Sequence, residues 1–335
     1  MRGADDWRQR VARLGLLGLL AGSSGLLPAC ASAPRAGPSG AAPTRPAGSA
    51  PGAVLRVGVE DEEGHPRVQP VLLEDYVAGC VAAELGSSAR VTPAVARMYQ
   101  VQAILCRTFA RANLGRHSAG GYDLCATSHC QLYRPVVPSS GEAARSIREA
   151  VDATRGVIIV YDGRPIQAVY HAHCGGRTSA AESVWGGRSE PYLVSVVDSF
   201  CRKGSWWSVT IDGGRLRDLL NRSPRTEVGR RLDGVEVAAR DDAERALTVA
   251  LSGSQPHSVR GEEFRMAVLL ALGPRSMRST RFWIRREGRS FVIEGSGSGH
   301  GVGLCQAGAM ARAEAGEPPE AIVRYYYPGT SLALR

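Results

Sequence analysis

The sequence predicts an α+β fold, because strand-like and helix-like segments do not alternate regularly along the chain. Two patterns carry this prediction. Residues 93–114 place apolar side chains three and four positions apart, which is typical of a long helix. Residues 281–286 and 290–295 are β-rich and flank a Glu287-Gly288 turn, which is typical of a hairpin. We therefore expect mixed β-sheets, a long pair of N-terminal helices, and a C-terminal glycine-rich loop followed by helices.

The first 30 residues have the pattern of an export signal. Arginines at 8, 10 and 13 precede the apolar run 14–22, which is too short to span a bilayer as a permanent helix. Leu27-Pro28-Ala29-Cys30 then matches a bacterial lipoprotein cleavage site. We expect an exported lipoprotein anchored to the membrane through the lipidated Cys30. A plain secretory signal with an incidental cysteine is the alternative.

Composition divides the remainder of the chain. Residues 31–53 hold almost only Ala, Pro, Gly, Ser and Arg, so they cannot bury an apolar core and are expected to form an extended tether. The folded domain is expected over 54–335, with a smaller insert or subdomain at about 212–280. The formal charge is +9, but no basic patch is interleaved with aromatic residues. We therefore expect an anionic cell-wall polymer rather than nucleic acid as the partner of an exported chain.

The elements follow from local patterns. Thr92-Pro93 predicts a helix start, and Asp162-Gly163-Arg164 predicts a hairpin turn. Strands are expected at 54–59, 157–161, 166–171, 205–211, 235–239, 246–251, 281–286 and 290–295. Helices are expected at 71–85, 93–114, 141–154, 261–272, 306–315 and 318–326.

Glu84 is the first candidate for chemistry. It ends an apolar helix just before Gly86-Ser87-Ser88, where partial desolvation raises the pKa of a carboxyl and favours a general acid. The alternative is an exposed glutamate at a helix end. Arg107, on the next helix, is either a functional cation, a salt-bridge partner or part of a solvated face.

The glycine-rich segment 294–306 surrounds the lone His300 and precedes a helix. Glycine at this density lets the backbone approach a ligand, and the amides at a helix N-terminus bind polar oxygens. We expect His300 and Gln306 to contact a substrate. The alternatives are a flexible linker, or a histidine that holds the loop to the core.

Cysteine and histidine occur in two groups. His171, His173 and Cys174 precede Gly175-Gly176 and fit a zinc site, a Cys/His nucleophile pair or plain loop residues. The other group fits a metal site, a local Cys125–Cys130 disulfide or unpaired thiols, and consists of His117, Cys125, His129 and Cys130. Seven cysteines remain beyond Cys30, and this odd number leaves at least one thiol outside any disulfide.

Five motifs in order along 54–335 resemble the SpoIID/LytB family, named for stage II sporulation protein D and for an amidase modifier. Glu84 ends the first of the family's helices, and VQAILCRTFA (101–110) lies on the second. The other matching segments are TSHCQLY (127–133), CGGRT (174–178), GHGVG (299–303) with QAGA (306–309), and YYPGT (326–330).

The resemblance implies a SpoIID-like fold around a substrate cleft. It also implies a peptidoglycan lytic transglycosylase that cleaves MurNAc–GlcNAc bonds to 1,6-anhydro products, with Glu84 as its acid and base. No cofactor is required, although a structural zinc ion is compatible with the His117 group. Matching positions make up the expected substrate-binding set: Arg107, Gln131, Tyr133, His171, Gly175, Gly176, His300, Gln306 and Tyr326. Family spacing also motivates a Cys174–Cys201 disulfide.

A single carboxyl suits this chemistry, because a glycosidase of the hydrolytic type needs two carboxylates and a transglycosylase can use one group twice. The expected partners are glycan strands, the membrane and other wall hydrolases. Two other functions stay open. One is a wall-binding regulator that enhances amidases without catalysis. The other is a zinc-dependent amidase or peptidase with metal at the His171–Cys174 or His117–Cys130 group.

Overall fold

The computed structural model describes residues 52–60, 65–86, 90–134, 141–201 and 204–335. The expected signal segment, the lipidated Cys30 and residues 31–51 of the tether lie outside the described residues. Within these ranges no helix has the length and apolar character needed to cross a membrane. The described chain divides into two compact units, residues 52–201 with 298–335 and residues 204–297. Mixed helices and small sheets confirm the α+β prediction.

The larger unit begins with a three-stranded sheet. Strand β1 (Val54–Glu60) lies between antiparallel β2 (Pro66–Leu72) and the short parallel β3 (Leu124–Cys125). Helix α1 (Leu73–Leu85) starts two residues later than predicted, because Val71 and Leu72 pair with β1. Strand β2 was missed because its two prolines disfavour an interior strand, but β2 lies at the sheet edge, where proline is tolerated.

Helix α2 (Pro93–Ala112) is the central helix of this unit. Its start is as predicted: the Thr92 side chain accepts the N–H of Val95 at 3.3 Å, and Pro93 occupies the first turn. The helix contacts α1 and the amphipathic α3 (Glu142–Ala153). Thirteen of its residues are buried, including the polar Gln102, Arg107 and Thr108. Polar groups on this buried surface must find partners inside the protein.

The chain then turns at Asp162-Gly163 as predicted, but the strand that pairs across the turn is not the predicted one. Strand β4 (Val157–Tyr161) pairs with β5 (Arg164–Pro165) through a turn in which Asp162 and Gly163 have positive φ. The predicted second strand, 166–171, is shortened to β6 (Tyr170–His171). Its apolar residues Ile166, Ala168 and Val169 are buried without forming a strand. Their apolar character therefore reflects burial in the core and not pairing between strands. A short helix, α4 (Ala181–Trp185), follows.

Residues 204–297 form the smaller unit. It contains β7 (Trp206–Asp212), α5 (Gly213–Leu220), β8 (Leu232–Arg240), β9 (Ala246–Gly253), β10 (His257–Arg260), α6 (Gly261–Leu272), β11 (Phe282–Glu287) and β12 (Ser290–Ser296). These elements build two antiparallel sheets, β10-β9-β8 and β11-β12-β7, around a separate core that includes Phe264 and Phe282. The predicted insert, 212–280, lies inside this unit, and β7 and the β11–β12 hairpin belong with it.

The C-terminal segment returns to the larger unit. Strand β13 (Leu304–Cys305) pairs in parallel with β6, and helices α7 (Gln306–Glu314) and α8 (Pro319–Tyr326) follow as predicted. Strand β14 (Ser331–Leu334) pairs with β4. Strand β6, the glycine-rich loop and α7 are therefore neighbours, although about 130 residues separate them in the sequence.

Candidate active site and metal centres

Glu84 lies in the last turn of α1 and is largely shielded from solvent. Its Oε1 accepts the backbone N–H of Leu132 at 3.2 Å. Burial raises the pKa of the Glu84 carboxyl above its ordinary value, and hydrogen bonds from the Leu132 amide and the Tyr170 hydroxyl oppose this effect only in part. Glu84 therefore has the environment that the sequence predicted for a general acid.

The Tyr170 hydroxyl joins Glu84 to a buried polar network. It donates to Gln131 Oε1 at 3.3 Å, while Gln131 Nε2 donates to the carbonyl of Cys106 at 3.2 Å and to the hydroxyl of Tyr76 at 3.4 Å. Burial raises the pKa of Tyr170 well above its ordinary value, so this phenol stays protonated. A protonated phenol can turn toward Glu84 when the carboxyl is ionised and toward Gln131 when it is neutral.

A second chain of contacts connects this network to α7. Gln306 Nε2 donates to Gln102 Oε1 at 3.2 Å, and Gln102 Nε2 reaches Cys106 Sγ at 3.5 Å. Cys106 Sγ lies 4.0 Å from the Tyr170 hydroxyl. Sequence reasoning named Gln306 but missed Tyr170 and Gln102. Tyr170 had a usable signal, because it stands directly before His171 at the end of a strand-like segment.

Arg107 is buried inside the protein and presents no surface to a substrate, which corrects its assignment as a binding residue. The side chain is fully buried, and its guanidinium forms a bidentate pair with Glu74, with Nη2 at 2.6 Å from Oε2 and Nε at 3.0 Å from Oε1. It also donates to the carbonyls of Val151 and Val157. A buried charge needs this degree of pairing, so Arg107 is a structural residue.

Three other expected binding residues are also buried, and we correct their assignment in the same way. Gln131 orients Tyr170, as described above. Tyr133 stacks on Tyr76 with ring centroids 5.1 Å apart. The Tyr326 hydroxyl donates to Asp198 Oδ2 at 2.8 Å. Because all three side chains are buried, and the polar atoms of Gln131 and Tyr326 are hydrogen-bonded inside the protein, they support the site rather than face a ligand.

His300 is held by backbone groups at both ring nitrogens. Its Nε2 lies 3.0 Å from the carbonyl oxygen of Tyr170, and its Nδ1 accepts the N–H of Val302 at 3.1 Å. The structure thus favours the alternative in which His300 joins the loop to the core. Since Tyr170 carries the hydroxyl beside Glu84, His300 helps to position that hydroxyl through the backbone.

His171 is likewise buried, which corrects its expected contact with substrate. Its Nδ1 lies 3.2 Å from the carbonyl oxygen of Val302. Gly299 packs so closely on this histidine that an added Cβ would lie 2.9 Å from His171 Cβ, and its φ is +94°. Glycine at this position therefore serves close packing of the loop on β6 rather than flexibility.

Gly175 and Gly176 have a structural use, and their expected contact with substrate stays a prediction. Both residues have positive φ, +87° and +107°. The turn that they form directs the N–H of Gly176 to Cys174 Sγ at 3.3 Å. The glycine pair therefore shapes the surroundings of Cys174.

Helix α4 adds two candidates that the sequence reading missed. The Trp185 ring lies 5.1 Å from the His300 ring. Within the described part of the chain, Trp185 Nε1 and Glu182 Oε2 are buried and have no hydrogen-bond partner in the protein. Buried polar atoms of this kind are usually satisfied by water or a ligand.

The first cysteine group converges as a metal centre would. The donor atoms of His117, Cys125, His129 and Cys130 all lie within 4.8 Å of one another. His117 Nε2 is 3.3 Å from Cys130 Sγ, and His129 Nδ1 is 3.7 Å from Cys125 Sγ. Two sulfurs and two imidazole nitrogens form a donor set that fits tetrahedral zinc. The residues present therefore fit the structural zinc ion expected from the sequence.

The second cysteine group differs from its prediction. Among the seven cysteines that the structure describes, no disulfide bond is formed, so the expected Cys174–Cys201 bridge is absent. The sulfurs of Cys174 and Cys201 instead share a buried site with the sulfur of Cys305 and a carboxylate oxygen of Asp198, and all four atoms lie within 4.8 Å of one another. His171 is not part of this group. The bridge was predicted from the family's placement of the two segments, and the contribution of Cys305, 131 residues from Cys174, was not visible in the sequence.

Comparisons with known proteins find several relatives of this chain. The family model described as SpoIID, stage II sporulation protein, matches residues 61–161, which include α1 with Glu84 and the next helix, α2. Stage II sporulation protein D of Bacillus subtilis is 26% identical over 79% of this chain and 76% of its own length. An uncharacterized protein of Brachyspira hyodysenteriae is 28% identical over 79% of this chain and 67% of its own.

A third relative is the amidase enhancer of Bacillus subtilis, which is 30% identical over 55% of this chain. The match spans 32% of that longer protein. The family match over the Glu84 region, together with similarity to the stage II sporulation D proteins of Bacillus subtilis and Bacillus amyloliquefaciens, supports membership of the SpoIID/LytB family.

Proposed function

We propose that this protein is an exported, membrane-anchored cell-wall enzyme, a lytic transglycosylase that cleaves MurNAc–GlcNAc bonds of peptidoglycan. The single observation that carries the proposal is the shielded Glu84 carboxyl, whose pKa burial raises. Relatives named for sporulation stage II and for amidase enhancement support a role at the cell wall. Anchoring through Cys30 is part of the proposal and rests on the sequence pattern.

The reaction uses one carboxyl twice. Protonated Glu84 gives its proton to the glycosidic oxygen as the bond from that oxygen to C1 of N-acetylmuramic acid breaks. The C6 hydroxyl of the same sugar then bonds to C1, and Glu84 removes the hydroxyl proton. The sugar ends as a 1,6-anhydro ring, and Glu84 is again protonated. Proton transfer of this kind contributes about 10²–10⁴-fold to the rate.

The surroundings of Glu84 support one acid/base group rather than two. Among the described residues, no carboxylate contributes to the raised pKa of Glu84. Glu74, on the same helix, is neutralised by Arg107, and Asp198 is committed to the second cysteine group. A hydrolytic glycosidase needs a second carboxyl placed for attack or for activating water. Glu182 has a buried carboxylate oxygen without a hydrogen-bond partner among the described residues, and Glu182→Gln should leave the product chemistry unchanged.

The donor set of the His117 group (His117, Cys125, His129 and Cys130) suits a structural zinc ion better than a catalytic one. All four of its donors are protein side chains, whereas a catalytic zinc keeps one position open for water. When bound, zinc would join the end of β3 to the segment that carries Leu132, the amide donor to Glu84. The zinc-dependent amidase or peptidase is therefore the less supported function.

A wall-binding regulator is the second candidate, and one finding favours it. The relative at 30% identity is named an amidase enhancer. A regulator would keep the fold and the buried networks without needing a carboxyl that cycles a proton. The two functions therefore differ in the expected effect of Glu84→Gln, which should abolish cleavage by an enzyme but leave a regulator unaffected.

The experiment is digestion of purified glycan strands, with and without stem peptides, by the full chain and by Glu84→Gln. Glutamine keeps the shape and can still accept the Leu132 amide, but it cannot donate and recover a proton. We expect 1,6-anhydro products from the wild type and at least a 10²-fold loss in Glu84→Gln. Glu314→Gln, an exposed carboxyl on α7, is the matched control. Glycan binding without cleavage by any form would support the regulator instead.

A further inference from the structure

Four side chains from three segments meet in the core of the larger unit; we call them the Cys174 cluster (Cys174, Asp198, Cys201 and Cys305). All four are at most 5% exposed, and their ligand atoms lie within 4.8 Å of one another. Cys174 follows β6, Asp198 and Cys201 lie in one tight turn, and Cys305 is the N-cap of α7. The proposed transglycosylase chemistry uses none of these groups.

The distances fit a single tetrahedral zinc ion. Zinc–sulfur bonds of about 2.3 Å and zinc–oxygen bonds of about 2.1 Å place neighbouring S and O ligands roughly 3.5 Å apart. Cys174 Sγ and Asp198 Oδ2 are 3.5 Å apart. Three sulfurs and one carboxylate oxygen also complete a set of four protein ligands, as in closed structural sites.

The shell around the cluster is arranged for anionic sulfur. The N–H of Cys174 points to Cys305 Sγ at 3.2 Å, that of Gly308 to Cys305 Sγ at 3.4 Å, and that of Gly176 to Cys174 Sγ at 3.3 Å. The His173 ring lies 3.4 Å from Cys201 Sγ. Small apolar thiols do not need such donors, whereas metal-bound thiolates are typically held by them.

Asp198 is held as a metal-binding carboxylate would be. Its Oδ2 accepts the Tyr326 hydroxyl at 2.8 Å, and its Oδ1 accepts the N–H of Cys201 at 3.1 Å. Gly308 leaves the space for this carboxylate, because a Cβ there would lie 2.1 Å from Asp198 Oδ2. Three thiolates and a carboxylate would repel one another strongly in this buried site without a divalent cation.

We propose that the Cys174 cluster is a second, fully buried zinc site that ties together the turn after β6, the 198–201 turn and the start of α7. Binding of Zn²⁺ would release the proton of each coordinating thiol and requires no oxidant. Because β6 carries Tyr170 and α7 begins at Gln306, the metal would stabilise two of the elements on which the Glu84 network rests. The proposal itself does not depend on transglycosylase activity.

The test is the zinc content of the full chain, purified without chelators or reductants and measured by mass spectrometry of the metal. The quantity compared is the zinc content of wild type and of Cys305→Ser. We expect Cys305→Ser to contain one zinc equivalent per chain less than wild type. Cys125→Ser should lose a separate equivalent, the one held by the His117 centre. Cys80→Ser, a buried cysteine outside both groups, is the matched control and should change nothing. An unchanged zinc content in Cys305→Ser would overturn the proposal.

Thiol mapping of the folded wild type covers the case in which Cys305→Ser fails to fold. Cys174, Cys201 and Cys305 should resist alkylation until a chelator removes zinc, and should then react together. Cobalt in place of zinc should give the absorption of a tetrahedral thiolate complex that persists in Cys125→Ser. A Cys174–Cys201 disulfide in the non-reduced peptide map, or alkylation unaffected by chelator, would show that no metal is held there.

Discussion

Helix α1 carries two partly buried glutamates whose hydrogen-bonding surroundings differ. Glu74, in its first turn, is paired with the guanidinium of Arg107 through two hydrogen bonds from Nε and Nη2. Glu84, in its last turn, receives among the described residues the Leu132 amide and the Tyr170 hydroxyl, and burial raises its pKa. The same residue type on one helix is thus paired with a guanidinium at one end and shielded at the other, where burial raises its pKa.

This difference shows what separates a structural carboxyl from a chemical one. A paired carboxylate stabilises the fold but holds no proton to give. A shielded carboxyl without a cationic partner costs folding stability when ionised, and that cost makes it a better acid donor near neutral pH. The comparison makes different predictions for the two ends of the helix.

The largest effect is expected at the paired end. Arg107→Met leaves Glu74 without its partner and removes donors from two carbonyls, so it should lower the free energy of unfolding by about 3 kcal/mol. Chemical denaturation measures this loss. Arg148→Met, an exposed arginine on α3, is the matched control and should stay within about 0.5 kcal/mol of wild type. A stable Arg107→Met protein with a raised KM would restore Arg107 to the substrate site.

Tyr170→Phe should produce the next largest effect, on the pH dependence of activity. Loss of the hydroxyl removes a hydrogen bond to ionised Glu84, so the pKa of Glu84 should rise further. The limb of kcat/KM that falls with increasing pH should shift to higher pH, and the rate at a fixed pH should change about fivefold, as expected for ~1 kcal/mol. Tyr161→Phe, in β4, should leave the profile unchanged. A lower rate with an unshifted profile would indicate a role in binding only.

The smallest effect concerns stability against pH. The folded-state pKa of Glu84 is raised, so its contribution to stability is fully present below the unfolded pKa of about 4.3 and is lost as pH rises through the folded pKa. Glu84→Gln lacks this loss. The melting temperature of the variant minus that of wild type should therefore increase as pH rises from acidic to neutral. A difference that does not change with pH would mean that Glu84 is not desolvated.

Much of this arrangement could be predicted from sequence. Local signals located Glu84, the start of α2 at Thr92 and the four residues of the His117 centre, because these features depend on neighbours within about 14 residues. The α+β class also followed from local periodicity. Edge strand β2 was hidden by its prolines, and Ile166–Val169 looked like a strand because burial and pairing favour the same residue types.

What sequence could not reveal depends on distant pairing. The β6–β13 register brings Tyr170 beside the loop of His300, and it brings Cys174 beside Cys305 across 131 residues. Without that register, His300 looked like a substrate group and Cys174 like half of a disulfide. Arg107 and Gln131 were assigned to the substrate because motif membership does not distinguish a residue that binds from one that supports the site.

Digestion of glycan strands in water enriched in ¹⁸O tests the central claim most directly. If Glu84 acts alone as acid and base, the C6 hydroxyl closes the ring, and the products should be 1,6-anhydro sugars without ¹⁸O at C1. Their mass should be one water lower than that of hydrolysis products. Incorporation of ¹⁸O at C1 would reveal attack by water and a second catalytic group, and would contradict the account given for Glu84.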